Sequence, residues 1–133
     1  MVRNIAQRAT LVALTFLGRL DEAAAIARQA MTAWRSDDML PHMLSVFAWF
    51  AYLQGRVPDA VRLDGAARAQ VTRMGLSNTP VFDRARNNLE RAIADRAIPA
   101  ADVSRWQREG ERLHQDEVAA LCVDARPGAR LSP

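Results

Sequence analysis

The sequence predicts an all-α protein in which antiparallel helix hairpins stack as a short α-solenoid of about six to seven helices. Two observations carry this prediction: apolar residues recur at helical spacing along most of the 133 residues, and one short segment repeats together with the helix after it. We expect one domain over residues 1–124, with repeats at about 4–35 and 39–75 and diverged helices over 80–124. The tail at 125–133 holds two prolines and a glycine, and we expect it to be disordered.

The internal repeat is the most informative feature. The six residues that begin at Gly18 recur as the six that begin at Gly55, 37 residues later, and each copy separates two apolar segments of helical period. Small residues then fall at equivalent places in both copies: Ala23 with Ala60, and Ala30 with Ala67. Their spacing of seven keeps them on one helix face, where small side chains let two helix axes approach closely.

This pattern resembles the tetratricopeptide repeat (TPR), in which a glycine at the turn between two helices is followed by alanines five and twelve residues on. The period exceeds the usual 34 residues by three, and the aromatic and glycine signals of the family's first helix are poorly kept. These are therefore degenerate, TPR-like repeats. The resemblance implies a groove lined by the first helix of each hairpin.

Start and stop signals place the first four helices. The first helix is predicted over about residues 4–17. Its main apolar stripe consists of four residues at helical spacing, Ile5, Ala9, Val12 and Phe16, and Leu11 and Leu14 lie off this stripe. The second spans about 20–35 and the third about 39–54, with a cap at Asp37 and Asp38 between them. The fourth carries Pro58 in its first turn and ends near residue 75.

The second half predicts three more helices. Thr79 can cap a fifth helix that begins at Pro80, and its inward positions are spaced as one stripe: Phe82, Ala85, Leu89 and Ile93. The sixth spans about 100–109 after Pro99, and we expect Gly110 to stop it. A last short helix is predicted over about 116–123.

Composition excludes several chemistries. All 18 cationic side chains are arginine, so the lysine that a P-loop, a Schiff-base enzyme or a protein kinase requires is missing. The single cysteine, Cys122, and the two histidines, His42 and His114, cannot assemble the usual zinc shell or an intramolecular disulfide. We therefore expect no catalysis, no cofactor and no metal, and a reducing, cytoplasmic location. The apolar stretch at 39–53 is too short to cross a bilayer, so no membrane partner is expected.

A second resemblance covers most of the chain between about residues 9 and 124 and is sharpest in the C-terminal half. The segments that carry it there are Arg62 to Ala67, Pro80 with the arginine-rich fifth helix, Trp106 to Gly110, and Leu113 to Leu121. These look like the end of the helical-repeat region in large bacterial signal-transduction ATPase regulators of the LuxR and winged-helix types. The resemblance implies a sensor and docking module in transcription regulation, because other domains of those proteins bind nucleotide and DNA. One departure is His114, which stands where a capping serine or threonine would be expected.

The predicted partner site is the groove between the first and third helices, where a protein or small-molecule signal would contact Arg8, Ser45, Trp49 and Tyr52. A second prediction concerns the N-terminal face of the array, which nothing caps. Leu11 and Leu14 lie on this face, and we expect it either to be covered by self-association or to remain exposed and prone to association. The alternative to a fragment of a regulator is a small stand-alone adaptor that associates with itself.

Plain structural roles compete with binding roles at several residues. Trp34, Trp49 and Trp106 could form an aromatic platform, but tryptophans at helical spacing usually fill a core. Likewise Cys122 fits a small, buried and inert position. The pI near 10.3 would suit nucleic acid, yet the net charge is only +3 because 15 acidic residues are interspersed with the arginines. Such mixing is typical of a solvated surface, so we do not expect direct nucleic-acid binding.

Overall fold

A computed structural model describes residues 2–36, 39–75 and 80–123 of the chain, with side chains described from residue 6 onward. Within these ranges every regular element is helical, which confirms the all-α class. The described residues form seven α-helices: α1 Val2–Phe16, α2 Leu20–Ser36, α3 Leu44–Leu53, α4 Val57–Met74, α5 Pro80–Asp95, α6 Ala100–Glu111 and α7 Gln115–Val123. One 3₁₀ turn, Leu40–Met43, precedes α3.

The hairpin of α3 and α4 is the centre of the molecule. Helix α5 packs mainly on α3, and α6 packs mainly on α4. On the other side, α1 packs along α2 and touches α3. The last helix, α7, lies against α2, α3 and α4. Helices α1 and α5 are therefore both neighbours of α3, and this arrangement positions the site described below.

The predicted turns and small packing positions are confirmed. Gly18 and Gly55 have φ angles of +76° and +85°, which are in the left-handed region that favours glycine. The alanines at the equivalent places of the two repeats are all buried, namely Ala23, Ala30, Ala60 and Ala67. The repeat in the sequence therefore marks two real helix–turn–helix units with the same close-packing positions.

Aromatic side chains fill the core between the second and third helices. Trp34 is fully buried and meets Phe47 edge to face at 6.2 Å between ring centroids, and Phe47 meets Phe50 in the same way at 6.4 Å. The interpretation of Trp34 as a core residue is confirmed. Trp49 and Trp106 are each half-buried instead.

The face of α1 that packs inward is not the predicted one. Leu11 is 0% exposed and belongs to the hydrophobic core, and half-buried Leu14 packs against that core. Beside them, the buried Thr15 hydroxyl donates to the carbonyl oxygen of Leu11 at 2.8 Å. The prediction that Leu11 and Leu14 form an exposed self-association surface is therefore wrong for Leu11, because α1 turns this edge toward the rest of the fold.

The stripe that was expected to face inward lies at the side of α1. Ala9 is exposed, and Val12 and Phe16 are half-buried; the side chain of Ile5 lies outside the described residues. The apolar arc of α1 is wider than one stripe, and the neighbouring helices cover only its Leu11 edge. The remainder of that arc is left to form the groove described below.

Helices α4 and α6 cross at two glycines. A Cβ atom on Gly65 would overlap the backbone of Gln107, and one on Gly110 would overlap the backbone of Arg62. Gly110 was expected to stop the sixth helix, but it lies inside α6 and is buried, so that prediction is wrong. Its missing side chain lets the two backbones touch, and the helix ends only at residue 111.

The other helix ends follow the sequence closely. Pro58 lies in the first turn of α4, which ends at Gly75 with a φ of +63°, and α5 begins at Pro80. At α7, the side chain of Glu117 accepts a hydrogen bond from the backbone N–H of His114 at 3.0 Å, which supplies half of a capping box without serine or threonine. The predicted caps at residues 37, 38 and 79 and the predicted tail at 125–133 lie outside the described residues.

Candidate partner-binding groove

Helices α1 and α5 form the walls of an open groove of about 360 Å³. We call it the α1–α5 groove and define it by the residues that line it: Arg8, Ala9, Val12, Ala13, Val81 and Phe82. The α1 side is the apolar stripe that the fold leaves uncovered. The α5 side is the start of that helix, where two apolar residues follow Pro80.

The lining of the α1–α5 groove is apolar and open to solvent. Val81 is 41% exposed, Ala9 and Ala13 are exposed, and Phe82 is half-buried. Leu17, which follows α1, is 69% exposed. An apolar groove that is open to solvent can serve as a binding surface.

Arginine supplies the charge around the groove. Arg8 is the only charged residue among those that line it. Arg84, on α5, places its guanidinium 4.7 Å from the centroid of the Phe16 ring, a cation–π contact between the two walls. Helix α1 contains no acidic residue over its whole length, so the wall it provides has only positive charge.

The four residues predicted to bind a partner do not form one site. Arg8 lines the α1–α5 groove, whereas Ser45, Trp49 and Tyr52 share an outward, half-buried face of α3 and are not among the lining residues. The Trp49 and Tyr52 rings stack with centroids 5.4 Å apart and an angle of 6° between their planes. The guanidinium of Arg96, the residue after α5, lies 5.5 Å from the centroid of the Tyr52 ring. This stack fastens α3 to α5.

Five of the six residues that line the groove were not predicted as partner contacts: Ala9, Val12, Ala13, Val81 and Phe82. One signal could have found those on α5. Val81 and Phe82 are consecutive apolar residues in an otherwise amphipathic helix, and consecutive residues point about 100° apart, so they cannot both lie on the centre of one narrow apolar stripe. Of the two, Phe82 is on the stripe with Ala85 and Leu89, so Val81 is the residue left over.

Two buried carboxylates on α4 are the next candidates for chemistry. Asp64 accepts hydrogen bonds from Arg68 at 2.8 Å and from Gln107 at 3.2 Å, and Arg68 also donates to Glu90 at 2.9 Å. The pKa of Arg68 is raised: burial alone would lower it, but the hydrogen bonds and charges of Asp64 and Glu90 outweigh that effect. Asp64 is therefore held by the permanent charge of Arg68, and the pair links α4 to α6 through Gln107 and to α5 through Glu90.

The second buried carboxylate, Asp59, is held in the same manner. It accepts hydrogen bonds from Arg62 at 3.1 Å and from Arg56 at 3.4 Å. Arg62 continues to Glu109 of α6 at 2.9 Å, and Arg56 donates to the carbonyl oxygen of Leu121 of α7 at 2.9 Å. Because their oxygens already face arginine, Asp59 and Asp64 are suited to joining helices and poorly suited to act as a base or metal ligand.

Cys122 is fully buried and free. Burial raises the pKa of its thiol, and the nearby charge of Arg56 opposes that shift only in part. The reactive thiolate is therefore disfavoured, as the sequence predicts for an inert position.

A second open groove, of about 620 Å³, lies between α4, α6 and α7 and mixes charged with apolar lining residues: Arg62, Glu109, Leu113, Asp116, Glu117, Ala120 and Leu121. His42 and His114 are exposed, and no group of three potential metal ligands occurs in the described ranges. A cavity bordered by Arg35, Leu44 and Val118 measures about 30 Å³, room for about one water molecule. Over the part of the chain with described structure, no helix is both long and apolar enough to span a membrane.

Comparison with other proteins adds no family: the chain matches no protein-family model, no curated protein and no solved structure.

Proposed function

We propose that this chain is a non-catalytic, TPR-like protein-interaction module that binds a partner in the α1–α5 groove. One observation carries the proposal. The most regular apolar stripe of α1 is only partly covered by the fold, since Ala9 is exposed and Val12 is half-buried, and it faces a second apolar wall across an open groove. Keeping such surface in water is unfavourable by roughly 25 cal/mol per Å², so a partner that covers it gains that free energy.

The chemistry of the groove supports binding over catalysis. Its lining offers aliphatic and aromatic surface and one guanidinium, which can hold a carboxylate of a partner but is no nucleophile or base. The buried carboxylates and the thiol elsewhere are paired with arginine or desolvated, as described above. A protein segment with apolar and acidic side chains is the ligand that this lining fits.

The resemblance to bacterial regulators gives this module a biological setting as a proposal: the sensor end of a cytoplasmic transcriptional regulator. Two of the segments that carry it, Arg62 to Ala67 and Trp106 to Gly110, meet each other at the α4–α6 crossing. They are packing residues. The resemblance therefore bears on the fold, whereas the identity of the partner depends on the groove.

A nucleic-acid partner is less well supported. Several arginines already pair with carboxylates of the same chain, and a phosphate would have to compete with them: Arg19, Arg35, Arg56, Arg62, Arg68 and Arg105. Phosphate-driven binding should appear in a gel shift at low salt and weaken steeply as salt rises. We expect no shift.

Site-specific photo-crosslinking in the source cells would test the proposed function. A benzophenone amino acid at Ala13, on the rim of the groove, should give a discrete crosslinked product with a partner protein. The matched control carries the same amino acid at Thr32, an exposed position on α2, and should give none.

A second variant, Val81→Asp, blocks the groove by placing a charge in its opposite wall. It should abolish the crosslinked product from Ala13. Because Val81 is partly exposed, the fold should tolerate the change. Equal products from Ala13 and Thr32, or a product that persists in Val81→Asp, would show that the groove is not the binding surface.

A further inference from the structure

We propose that the occupant of the α1–α5 groove is helix α7 of a second copy of this chain, so that copies associate head to tail. The inference depends on the groove described under the proposed function and names what fills it. It replaces the predicted self-association through Leu11, which the fold buries. Its basis is the match between two separate faces of one molecule.

Helix α7 has the opposite charge to α1. Its only charged residues are Asp116 and Glu117, both exposed in its first turn, and it contains no basic residue. The inner face of α7 is fully used, because Val118, Leu121 and Cys122 are buried against the rest of the molecule. Any partner must therefore meet α7 on its acidic side.

The arrangement of that side fits the groove. A helix turns by about 100° per residue, so Ala120 lies between the directions of Asp116 and Glu117. Helix α7 thus presents a small apolar residue with a carboxylate on each flank. The groove presents the complement: small apolar residues such as Ala13 between Arg8 on one wall and Arg84 on the other.

Small side chains on both faces allow the helices to come close. Ala9 and Ala13 on the groove wall and Ala120 on α7 leave little between the backbones, as at the buried alanine positions inside each repeat. Charges of opposite sign at the flanks then fix the orientation and disfavour other pairings.

Existing contacts leave both carboxylates available. Asp116 pairs with Arg35, yet its side chain is 84% exposed. Glu117 uses one oxygen to accept from His114 N–H and is also exposed. A carboxylate has two oxygens with about four acceptor positions, so each can accept a further hydrogen bond from an arginine.

In a head-to-tail array each copy offers its groove to one neighbour and its α7 to another, so the contact is heterologous. A copy whose groove is filled still presents its own α7, and growth does not stop at a dimer unless the rotation closes a ring. The average mass should therefore rise steadily with concentration. This property separates the proposal from an ordinary symmetric dimer.

Sedimentation equilibrium of the purified chain tests the proposal with two blocked variants. Val81→Asp disables the groove, and Ala120→Asp disables α7; each alone should remain at the monomer mass of 14.8 kDa. Mixed in equal amounts, they can form only one intact contact, between the α7 of Val81→Asp and the groove of Ala120→Asp. The mixture should approach twice the monomer mass and go no further.

A charge exchange provides an independent check that does not use these substitutions. Arg8→Glu and Asp116→Arg should each weaken self-association about tenfold, and the double variant should recover most of it because the pair is restored with reversed signs. Raising the salt from 0.05 M to 0.5 M should weaken the wild-type contact by a similar factor.

The outcomes separate this inference from the proposed function. A wild-type chain that stays monomeric at all concentrations, or a mixture of blocked variants that stays monomeric while the wild type grows, overturns the second copy as the occupant. In the crosslinking experiment, a product from Ala13 at twice the chain mass supports the second copy. A product of another mass would support the groove and contradict this occupant.

Discussion

The α4–α6 crossing and the α1–α5 groove are both places where two non-consecutive helices meet, yet they differ in how completely they pack. At the crossing, Gly65 and Gly110 let backbone touch backbone, Arg62 joins buried Asp59 to Glu109 of α6, and Gln107 of α6 donates to buried Asp64. At the groove, apolar walls face each other across open space. The first contact is complete within one chain, and the second needs another molecule.

The largest expected effect on the free energy of unfolding is at the α4–α6 crossing. Gly110→Ala should destabilise the fold by more than about 3 kcal/mol, because the added Cβ would overlap the backbone of Arg62 and force α4 and α6 apart. The sign of the change in the free energy of unfolding distinguishes this crossing from an ordinary helix position, where Gly→Ala stabilises by up to about 1 kcal/mol. Urea unfolding measures the difference, with Ser104→Ala on the exposed side of α6 as the control. A stabilised Gly110→Ala would contradict the crossing.

The next effect compares the two faces of α1. Leu11→Ala should cost about 2 to 3 kcal/mol, because it leaves a cavity in the core. Val12→Ala, one residue along and facing the groove, should cost less than about 1 kcal/mol. Thermal and urea unfolding of both variants would check the orientation of α1. Equal losses, or a larger loss at Val12, would mean that the predicted stripe faces inward after all.

A smaller effect concerns Cys122 and pH. Because burial raises the pKa of this thiol above its ordinary value of about 9.0, the unfolded chain releases the proton at a lower pH than the folded chain does. The stability associated with the protonated thiol is complete below pH 9 and falls above it by up to about 1.4 kcal/mol per pH unit. Unfolding free energies of wild type and Cys122→Ala, compared between pH 8 and 10.5, should converge as pH rises. A constant difference would contradict this.

The smallest effect on the free energy of unfolding is expected at the α1–α5 groove. Val81→Asp should change the free energy of unfolding by less than about 0.5 kcal/mol, since Val81 is 41% exposed. The same substitution should abolish binding in the groove. Urea unfolding beside the sedimentation measurement would show the two effects separately. A loss of stability as large as that of Leu11→Ala would mean that Val81 is a core residue.

Local rules in the sequence were enough to place most of the helices. Gly18 and Gly55 mark turns because their φ angles are positive, and Pro58 and Pro80 mark helix starts because proline needs no N–H partner there. The repeated alanines were correctly expected to be buried for close packing. Each of these signals depends on a few neighbouring residues, which the sequence shows directly.

Signals that depend on distant partners were missed or misassigned. Gly110 looks like a helix stop until its neighbour, the backbone of residue 62 on another helix, is known. Leu11 and Val12 lie in the same apolar arc of α1, and only the position of the neighbouring helices decides which one is covered. The predicted partner site depends on distant helices in the same way: Arg8 lines a groove, but the opposite wall of that groove is α5 instead of α3.

The contacts of α7 with α2 and α4 affect how the molecule comes apart. In an open array of repeats each unit touches only its neighbours, and unfolding can begin at an end and spread. Here Arg35 near the end of α2 pairs with Asp116, 81 residues later, and Arg56 at the start of α4 holds the carbonyl of Leu121. These long-range links make the terminal helix part of the common core, so we expect loss of α7 to unfold the earlier helices with it in one cooperative transition.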